Sequence, residues 1–439
     1  STTIEIWELL LVPLYLLVPI IIAFRFPNKE DRKWFSLGIS ARILGAAAYT
    51  LIYLYYYQGG DTIAYYNTAV PFVNLIMENP LVGLKVFFSG YSVENYANFT
   101  ESTGYPLIYI YSEQNTFMVS RVITPFLLLS FNSYVLASIL IASISFFGPW
   151  KLYQLFKTLV PHGDRIALIS VIFFPSVIFW GSGISKDTIT YASICYLTYG
   201  YYYTVIKRQL NTPRVLLSII TAYFILTIKP YIFLVFFPGA LIWLFFGTIQ
   251  RVKNSFLRVA IIPFILILSL GIFAFTFSSI SDLLGDYSSA EKIIEKAVVS
   301  QEDLKRDYYG GNTFDIGTIE PTVTGILSKF PMATFFGLYG PTLIHINNIV
   351  MFFSALENTL LLLLTIAVLL FRNPIRSIKT IGTIPFMIFC FSFSIFLAFA
   401  IGLTTPNFGA LVRFKIPLIP FFCFMLLVLY TKKEFKSNV

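Results

Sequence analysis

Residues 34–57 read WFSLGISARILGAAAYTLIYLYYY and are followed at once by QGGD at 58–61. It is a run of about 24 residues with Arg42 as its one charge, long enough to cross a lipid bilayer as a helix. Similar runs recur along the 439 residues, of which 57% are hydrophobic and only 12% are charged. The mean hydropathy is +0.76. The sequence therefore predicts a polytopic helical membrane protein.

We predict an all-α fold of about eleven membrane-spanning helices that form a single domain, 1–439. Two long segments between spans, about 58–130 and 278–349, are predicted to carry amphipathic helices that lie on the outer membrane surface. The predicted spans are about 5–24, 34–57, 131–149, 166–182, 188–206, 214–229, 231–249, 258–277, 350–371, 382–402 and 414–430.

The orientation follows from the basic residues between the spans. Most of the 31 lysines and arginines lie in one alternating set of short segments: 25–33, 151–165, 207–214, 251–258, 372–379 and 432–436. Short loops rich in Lys and Arg face the cytoplasm. We therefore expect the N-terminus outside and the C-terminus inside, in a bacterial cytoplasmic membrane. The net charge of +9 is explained by this bias and by contact with membrane lipids, so no nucleic-acid partner is expected.

A smaller set of charges lies at the predicted outer ends of the spans, against this bias. The basic members are Arg121, Lys186, Lys229, Arg413 and Lys415, and the acidic members are Asp61 and Asp187. Cations that come from several places in the chain to one membrane face indicate an anionic ligand. Each also has a structural alternative. A lone lysine can be a snorkelling anchor, Lys186 and Asp187 can neutralise each other in a turn, and Asp61 can cap the next helix.

One carboxylate among cations suits glycosyl transfer from a lipid-phosphate sugar. Asp61 would act as the general base on the acceptor hydroxyl, and the cations would stabilise the departing phosphate. Aromatic residues beside Asp61, including Tyr65 and Tyr66, would contact the sugar. No cofactor is indicated. A divalent metal is compatible with the chemistry, but the cysteines lie within predicted spans and the histidines have no ligand spacing, so no metal residues are assigned.

The motifs around these residues resemble those of the GT-C class of integral-membrane glycosyltransferases. That class carries an acidic motif after an early span, where this chain has GGDTIAYYNTA at 59–69. WGSGISKDTITYA at 180–192 and LTIKPYIFL at 226–234 resemble its short charged outer turns, and LVRFKIPLIPFF at 411–422 resembles its basic-aromatic-proline run. The class often has paired acids in the first loop, whereas Asp61 is followed by Thr62.

The resemblance implies inverting transfer of a hexosyl or pentosyl group from a polyprenyl-phosphate donor to a glycan, lipid or protein acceptor. Other functions stay open. An O-antigen-type polysaccharide polymerase or ligase uses similar lipid donors. A transporter would need charges near the midplane, where only Arg42 and Glu357 qualify. A non-catalytic scaffold of an envelope complex could dock partners through the acidic segment 282–320.

Overall fold

A computed structural model describes residues 4–250, 312–317, 322–346 and 349–435, together with a few positions between 292 and 320. The predicted span 258–277 lies outside the described residues, as does most of the segment 278–311. Within the described residues the fold is helical, and the β-structure there is one isolated bridge between Thr313 and Asn407. The all-α prediction is confirmed for this part of the chain.

The described helices range from 4 to 23 residues, and several end at a π-helical turn or within two residues of a proline. In the first part of the chain they are α1 (Ile6–Phe24), α2 (Lys29–Leu51), α3 (Asp61–Glu78), α4 (Pro80–Phe88), α5 (Val93–Tyr96), α6 (Ile108–Tyr111), α7 (Gln114–Leu129), α8 (Tyr134–Ser145), α9 (Phe147–Leu159), α10 (Asp164–Ala167), α11 (Pro175–Trp180), α12 (Lys186–Tyr201), α13 (Thr212–Ile228) and α14 (Pro230–Gln250). The later helices are α15 (Val323–Ser328), α16 (Phe330–Tyr339), α17 (Ile349–Phe371), α18 (Pro374–Thr383), α19 (Pro385–Thr404), α20 (Phe408–Phe414) and α21 (Ile419–Thr431).

Six helical segments of the described residues are long and apolar enough to cross a membrane. They are Ile6–Phe24, Lys29–Tyr56, Tyr134–Leu159, Met351–Phe371, Pro385–Thr404 and Phe408–Thr431. Each overlaps a predicted span, although Tyr134–Leu159 runs ten residues beyond the predicted end at 149. The prediction of a helical membrane protein agrees with the structure at this coarser level. α13 and the first part of α14 are shorter apolar helices.

The predicted span 166–182 is not one continuous helix. α10 runs into a π-helical turn at Leu168–Ile172, and helical structure resumes only at Pro175. Proline disfavours the helical conformation in the residue before it and cannot donate a backbone hydrogen bond. The break at residues 173–174 therefore follows from Pro175, which the reading of hydrophobicity alone overlooked.

By packing, the chain divides into two compact units, and the prediction of a single membrane domain stays a prediction. Unit 1 comprises 1–150, 177–194 and 227–229, and unit 2 comprises the remainder. Unit 1 is held by close helix contacts at glycines. A Cβ atom on Gly45 would lie 2.1 Å from the carbonyl oxygen of Ile178, and one on Gly148 would lie 2.1 Å from that of Ala192. Small residues allow such close approach between apolar helices.

Unit 1 also contains the first long outer segment predicted from the sequence. α3 to α7 fold there around an aromatic core that includes Phe72, Phe99, Tyr111 and Phe117. The predicted amphipathic stretch 73–88 forms the end of α3 and all of α4. This segment is therefore a small packed layer, which positions the first turns of α3 and α7.

Unit 2 uses the same packing device. Cβ atoms on Gly337 of α16 and Gly402 of α19 would lie 2.0 Å and 1.9 Å from the carbonyl oxygens of Ala398 and Ala333. Phe389 of α19 lies in an aromatic cluster with Phe386 and with Trp243 of α14. The two glycines hold α16 against α19, and large rings fill the space beside α14.

Candidate functional site

The two glycines before Asp61 form the turn that starts α3. α2 ends in a π-helical turn, Ile52–Tyr56, and Gly60 then adopts φ 97° and ψ −179°. This backbone region is open essentially only to glycine. A Cβ atom on Gly60 would also lie 3.0 Å from the ring of Tyr53. Glycine at position 60 is thus needed for Asp61 to begin the next helix.

Asp61 itself is exposed and is the first residue of α3, and Gly60 is the N-cap. The alternative in which the Asp61 side chain caps the helix is therefore not what the structure shows. Its negative charge lies in the first turn, where the helix dipole favours a carboxylate.

Lys186 starts α12, and its side chain enters a short chain of hydrogen bonds. The Lys186 Nζ donates to Thr116 Oγ1 at 2.8 Å, and the Thr116 hydroxyl donates to Glu113 Oε2 at 2.8 Å. The Ser185 hydroxyl accepts a bond from the backbone N–H of Thr188 at 3.1 Å and so caps α12. The Lys186 ammonium is therefore oriented by two residues at the start of α7.

Asp187 and Lys229 form a buried ion pair. The Lys229 Nζ lies 2.5 Å from Asp187 Oδ1, and the two residues are 4% and 3% exposed. Lys229 directly follows α13, and Asp187 lies in the first turn of α12. The sequence alternative paired Asp187 with the neighbouring Lys186, whereas the structure pairs Asp187 with Lys229, and the Lys186 ammonium donates to Thr116.

The charges of this cluster act on one another. Burial lowers the pKa of Lys186 to about 8 and is the largest influence on it. The negative charges of Asp61, Glu113 and Asp187 raise this pKa, Asp61 most strongly. The positive charge of Lys229 lowers it further. Asp61, Glu113, Lys186, Asp187 and Lys229 are therefore brought together in unit 1, and we call them the acidic–lysine site.

Arg121 lies on another face of α7. Its Nε donates to the carbonyl oxygen of Phe87 at 3.0 Å, its guanidinium also donates to the carbonyl oxygen of Ser89, and it lies 4.5 Å from the ring centroid of Phe117. It lines a cleft of about 340 Å³, whose other lining residues are Phe88, Gly90, Tyr91, Tyr111, Ser112, Gln114 and Phe117. The sequence placed Arg121 with Lys186, whereas these contacts place it at the cleft.

Tyr65 and Tyr66, predicted to contact a sugar, are buried in unit 1. The Tyr66 hydroxyl donates to the carbonyl oxygen of Asn132 at 2.7 Å, and the Ser120 hydroxyl donates to the carbonyl oxygen of Tyr65 at 3.1 Å. Burial raises the pKa of Tyr66 to about 12. These two tyrosines pack α3 against its neighbours, and the exposed rings before Asp61 are those of residues 55–57.

Lys415 is 1% exposed in unit 2, and carbonyl and amide oxygens surround its ammonium. It donates to the carbonyl oxygens of Leu338 at 3.0 Å and Gly340 at 2.8 Å, and to Asn358 Oδ1 at 2.9 Å. Three donors with three protein acceptors leave no hydrogen for a phosphate. We assign Lys415 a structural role. Arg413 is half-buried on α20 in the same unit.

The two charges expected near the midplane each have a partner within their own unit. In unit 1, the Arg42 guanidinium donates to Ser145 Oγ at 3.2 Å and lies 5.6 Å from the ring centroid of Tyr191. In unit 2, Glu357 accepts a hydrogen bond from the backbone N–H of Ser176 at 2.8 Å. Both contacts fix helices in place, which is the structural use of buried charge.

Sequence reasoning missed Glu113 and Thr116. It treated 58–130 as one outer segment and set no helix boundary within it, whereas α7 begins there at Gln114. Glu113 occupies the N-cap position of α7. No helix-start signal marked them, because the usual pattern is Ser, Thr, Asp or Asn at the N-cap with Glu or Gln three residues later, and here the order is reversed.

No group of three or more potential metal-ligating side chains occurs among the residues that the structure describes. Comparison of the chain with protein-family models, with curated proteins and with solved structures finds no match. We therefore infer the function from the chemistry of the acidic–lysine site.

Proposed function

We propose that the protein is a membrane glycosyltransferase that moves a sugar from a polyprenyl-phosphate donor to an acceptor. The observation that carries the proposal is the acidic–lysine site, where the exposed carboxylates of Asp61 and Glu113 act on the ammonium of Lys186. A base for a hydroxyl and a cation for a phosphate are the two groups that this transfer requires.

In the proposed reaction the Asp61 carboxylate takes the proton of the acceptor hydroxyl. The acceptor oxygen attacks the anomeric carbon, and the bond from that carbon to the phosphate oxygen breaks. The lipid phosphate leaves with the bonding electron pair, and Lys186 stabilises its charge. Attack opposite the leaving group inverts the anomeric configuration.

The other members of the site position these two groups. Glu113 accepts a hydrogen bond from Thr116, which accepts one from Lys186. This chain of hydrogen bonds fixes the ammonium of Lys186 without contacting substrate. The Asp187–Lys229 pair joins the start of α12 to the residue that follows α13. Asp61 is therefore proposed as the catalytic residue and Lys186 as the phosphate contact.

We further propose the topology that this chemistry requires: about eleven spans in a GT-C-like fold, the N-terminus outside, and the site at the outer face of a bacterial cytoplasmic membrane. The six apolar helices and the basic residues of the short loops support this placement. A lipid-linked donor suits that face, because nucleotide sugars are absent there.

Asp61→Asn tests the assignment. Transfer of a radiolabelled sugar from a polyprenyl-phosphate donor to membrane acceptors should fall by about 10²–10⁴-fold, the usual contribution of a positioned base. Insertion and folding should persist, since the lost first-turn charge is worth only about 0.3–1 kcal/mol. Glu78→Gln is the matched control, because Glu78 is an exposed acid at the opposite end of α3.

Lys186→Ala should raise the donor KM and also lower the rate, whereas Lys85→Ala on exposed α4 should change neither. An Asp61→Asn protein that transfers sugar as fast as Glu78→Gln would reduce Asp61 to a helix-dipole residue. The proposed base would then be wrong.

A further inference from the structure

The cleft beside Arg121 is a feature of unit 1 that the proposed reaction does not use. It measures about 340 Å³ and is lined by aromatic and polar residues, among them Phe88, Tyr91, Tyr111, Gln114, Phe117 and Arg121. That volume is at the lower end of the range for small-molecule sites, ~300–1,000 Å³. It suits a short ring-shaped segment rather than a long lipid tail.

Helix α7 connects this cleft with the acidic–lysine site. Residues three, four or seven apart lie on one face of an α-helix. Gln114, Phe117 and Arg121 are three, four and seven residues apart and share the face that lines the cleft, whereas Glu113 and Thr116 at the start of the same helix are joined to Lys186 by hydrogen bonds. Both sets of residues belong to the first turns of one helix, about 10–12 Å across with its side chains.

The cleft combines exposed rings with fixed polar groups. Phe88 and Tyr91 are 75% and 39% exposed, whereas Tyr111 and Phe117 are buried beneath them. The Tyr111 hydroxyl donates to the carbonyl oxygen of Gly90 at 3.3 Å, and Arg121 is held by the carbonyls of Phe87 and Ser89. The floor is therefore preorganised, and the rim presents Gln114 and Ser112 to a ligand.

These groups match the surface of a sugar. A pyranose ring has an apolar face that packs on an aromatic ring and a rim of hydroxyls that bond to amide, hydroxyl and guanidinium groups. A hydrocarbon ligand would make no hydrogen bond to the exposed amide of Gln114. A free phosphate would leave the two exposed rings without one.

We propose that this cleft binds the glycan acceptor, a proposal that rests on the transferase function proposed above. Sugar units of the acceptor occupy the cleft on one side of α7, and its terminal hydroxyl passes the start of the helix to reach Asp61. The acceptor is thereby a saccharide chain rather than a protein or a lipid lacking sugar.

The test compares Tyr91→Ala with Tyr109→Ala. Tyr109 is 64% exposed in the same unit and does not line the cleft. The probe is an array of defined microbial oligosaccharides, incubated with the full-length protein in lipid nanodiscs. The wild type should bind members of the array, and Tyr91→Ala should bind them about 3–10-fold more weakly, the scale of one lost aromatic contact. Tyr109→Ala should bind like the wild type.

A turnover assay on the same preparations separates this proposal from the transferase proposal. Tyr91→Ala should raise the acceptor KM by a similar factor and leave the donor KM unchanged. If the wild type transfers sugar and Tyr91→Ala keeps the wild-type array binding and acceptor KM, the cleft proposal is wrong and the transferase proposal stands. A wild type that binds glycans through Tyr91 yet transfers no sugar would overturn the transferase alone. Absence of array binding by the wild type would overturn the cleft proposal.

Discussion

Substituting Asp187, alone and together with Lys229, tests whether Lys229 has a structural role or binds the substrate. The pair is short, at 2.5 Å, and both residues are nearly inaccessible. At an effective dielectric constant of 20, two unit charges at that distance attract each other by about 6–7 kcal/mol. Removing both charges from water costs several kcal/mol for each ion, so the net gain from the intact pair is small.

The single variant is predicted to be far worse than the double variant. Asp187→Asn leaves the Lys229 ammonium buried opposite an amide, which should cost about 3–5 kcal/mol of folding free energy. Asp187→Asn/Lys229→Met removes both charges and fills a similar volume, so most of that loss should be recovered. Thermal unfolding of the purified protein in detergent, followed by intrinsic fluorescence, should therefore show a midpoint lowered by several degrees only in the single variant.

The double variant also carries the functional readout. Because Lys229 is paired with Asp187 rather than with substrate, its donor KM should stay near that of the wild type. If the double variant unfolds as early as Asp187→Asn, the ion pair is not the cause of the loss. If it folds but its donor KM rises as much as in Lys186→Ala, Lys229 is a phosphate ligand and the pairing argument is wrong.

Two further predictions concern the neighbours of this pair. Gly60→Ala should cost about 1–3 kcal/mol, because only glycine tolerates φ 97° with ψ −179°, and the same unfolding assay should show the loss. Gly382→Ala is its control: nothing lies near a Cβ there, and alanine in the last turn of α18 should be neutral or stabilising, so equal losses would contradict the turn argument. For Lys186, whose pKa is lowered to about 8, protonation is lost as pH rises through about 8, so kcat/KM for the donor should fall there instead of near pH 10. Lys186→Arg should hold its charge and flatten this fall in a pH–rate profile, and an unchanged profile would show that Lys186 does not carry it.

The sequence predicted the elements whose cause is local. Apolar runs of membrane length identified the six long helices, and QGGD identified the place where α2 gives way to α3. Pro175, which interrupts a predicted span, was equally local and could have been used. Breaks of this kind are visible when proline is weighed against hydrophobicity.

The site was less predictable, because its members meet only through packing. The placement of the charges drew attention to Lys186, Asp187 and Lys229. It could not predict that Asp187 would form an ion pair with Lys229. Tyr65 and Tyr66 were chosen for their closeness in sequence to Asp61, yet α3 turns both into the interior. Glu113 was overlooked because it is about fifty residues from Asp61 along the chain.

The charges that remain at the acidic–lysine site bear on the kind of donor. The charges of Asp187 and Lys229 largely cancel. Among the described groups whose charges act on Lys186, this leaves the two exposed carboxylates of Asp61 and Glu113. A sugar joined to a polyprenol through one phosphate is a phosphodiester with one negative charge, whereas a pyrophosphate-linked donor brings two. At about 4 Å each added like-charge contact costs about 1–4 kcal/mol, depending on exposure to water. The single ammonium of Lys186 therefore favours the monophosphate donor of the proposed transferase over the pyrophosphate donor that a polysaccharide polymerase or ligase would use.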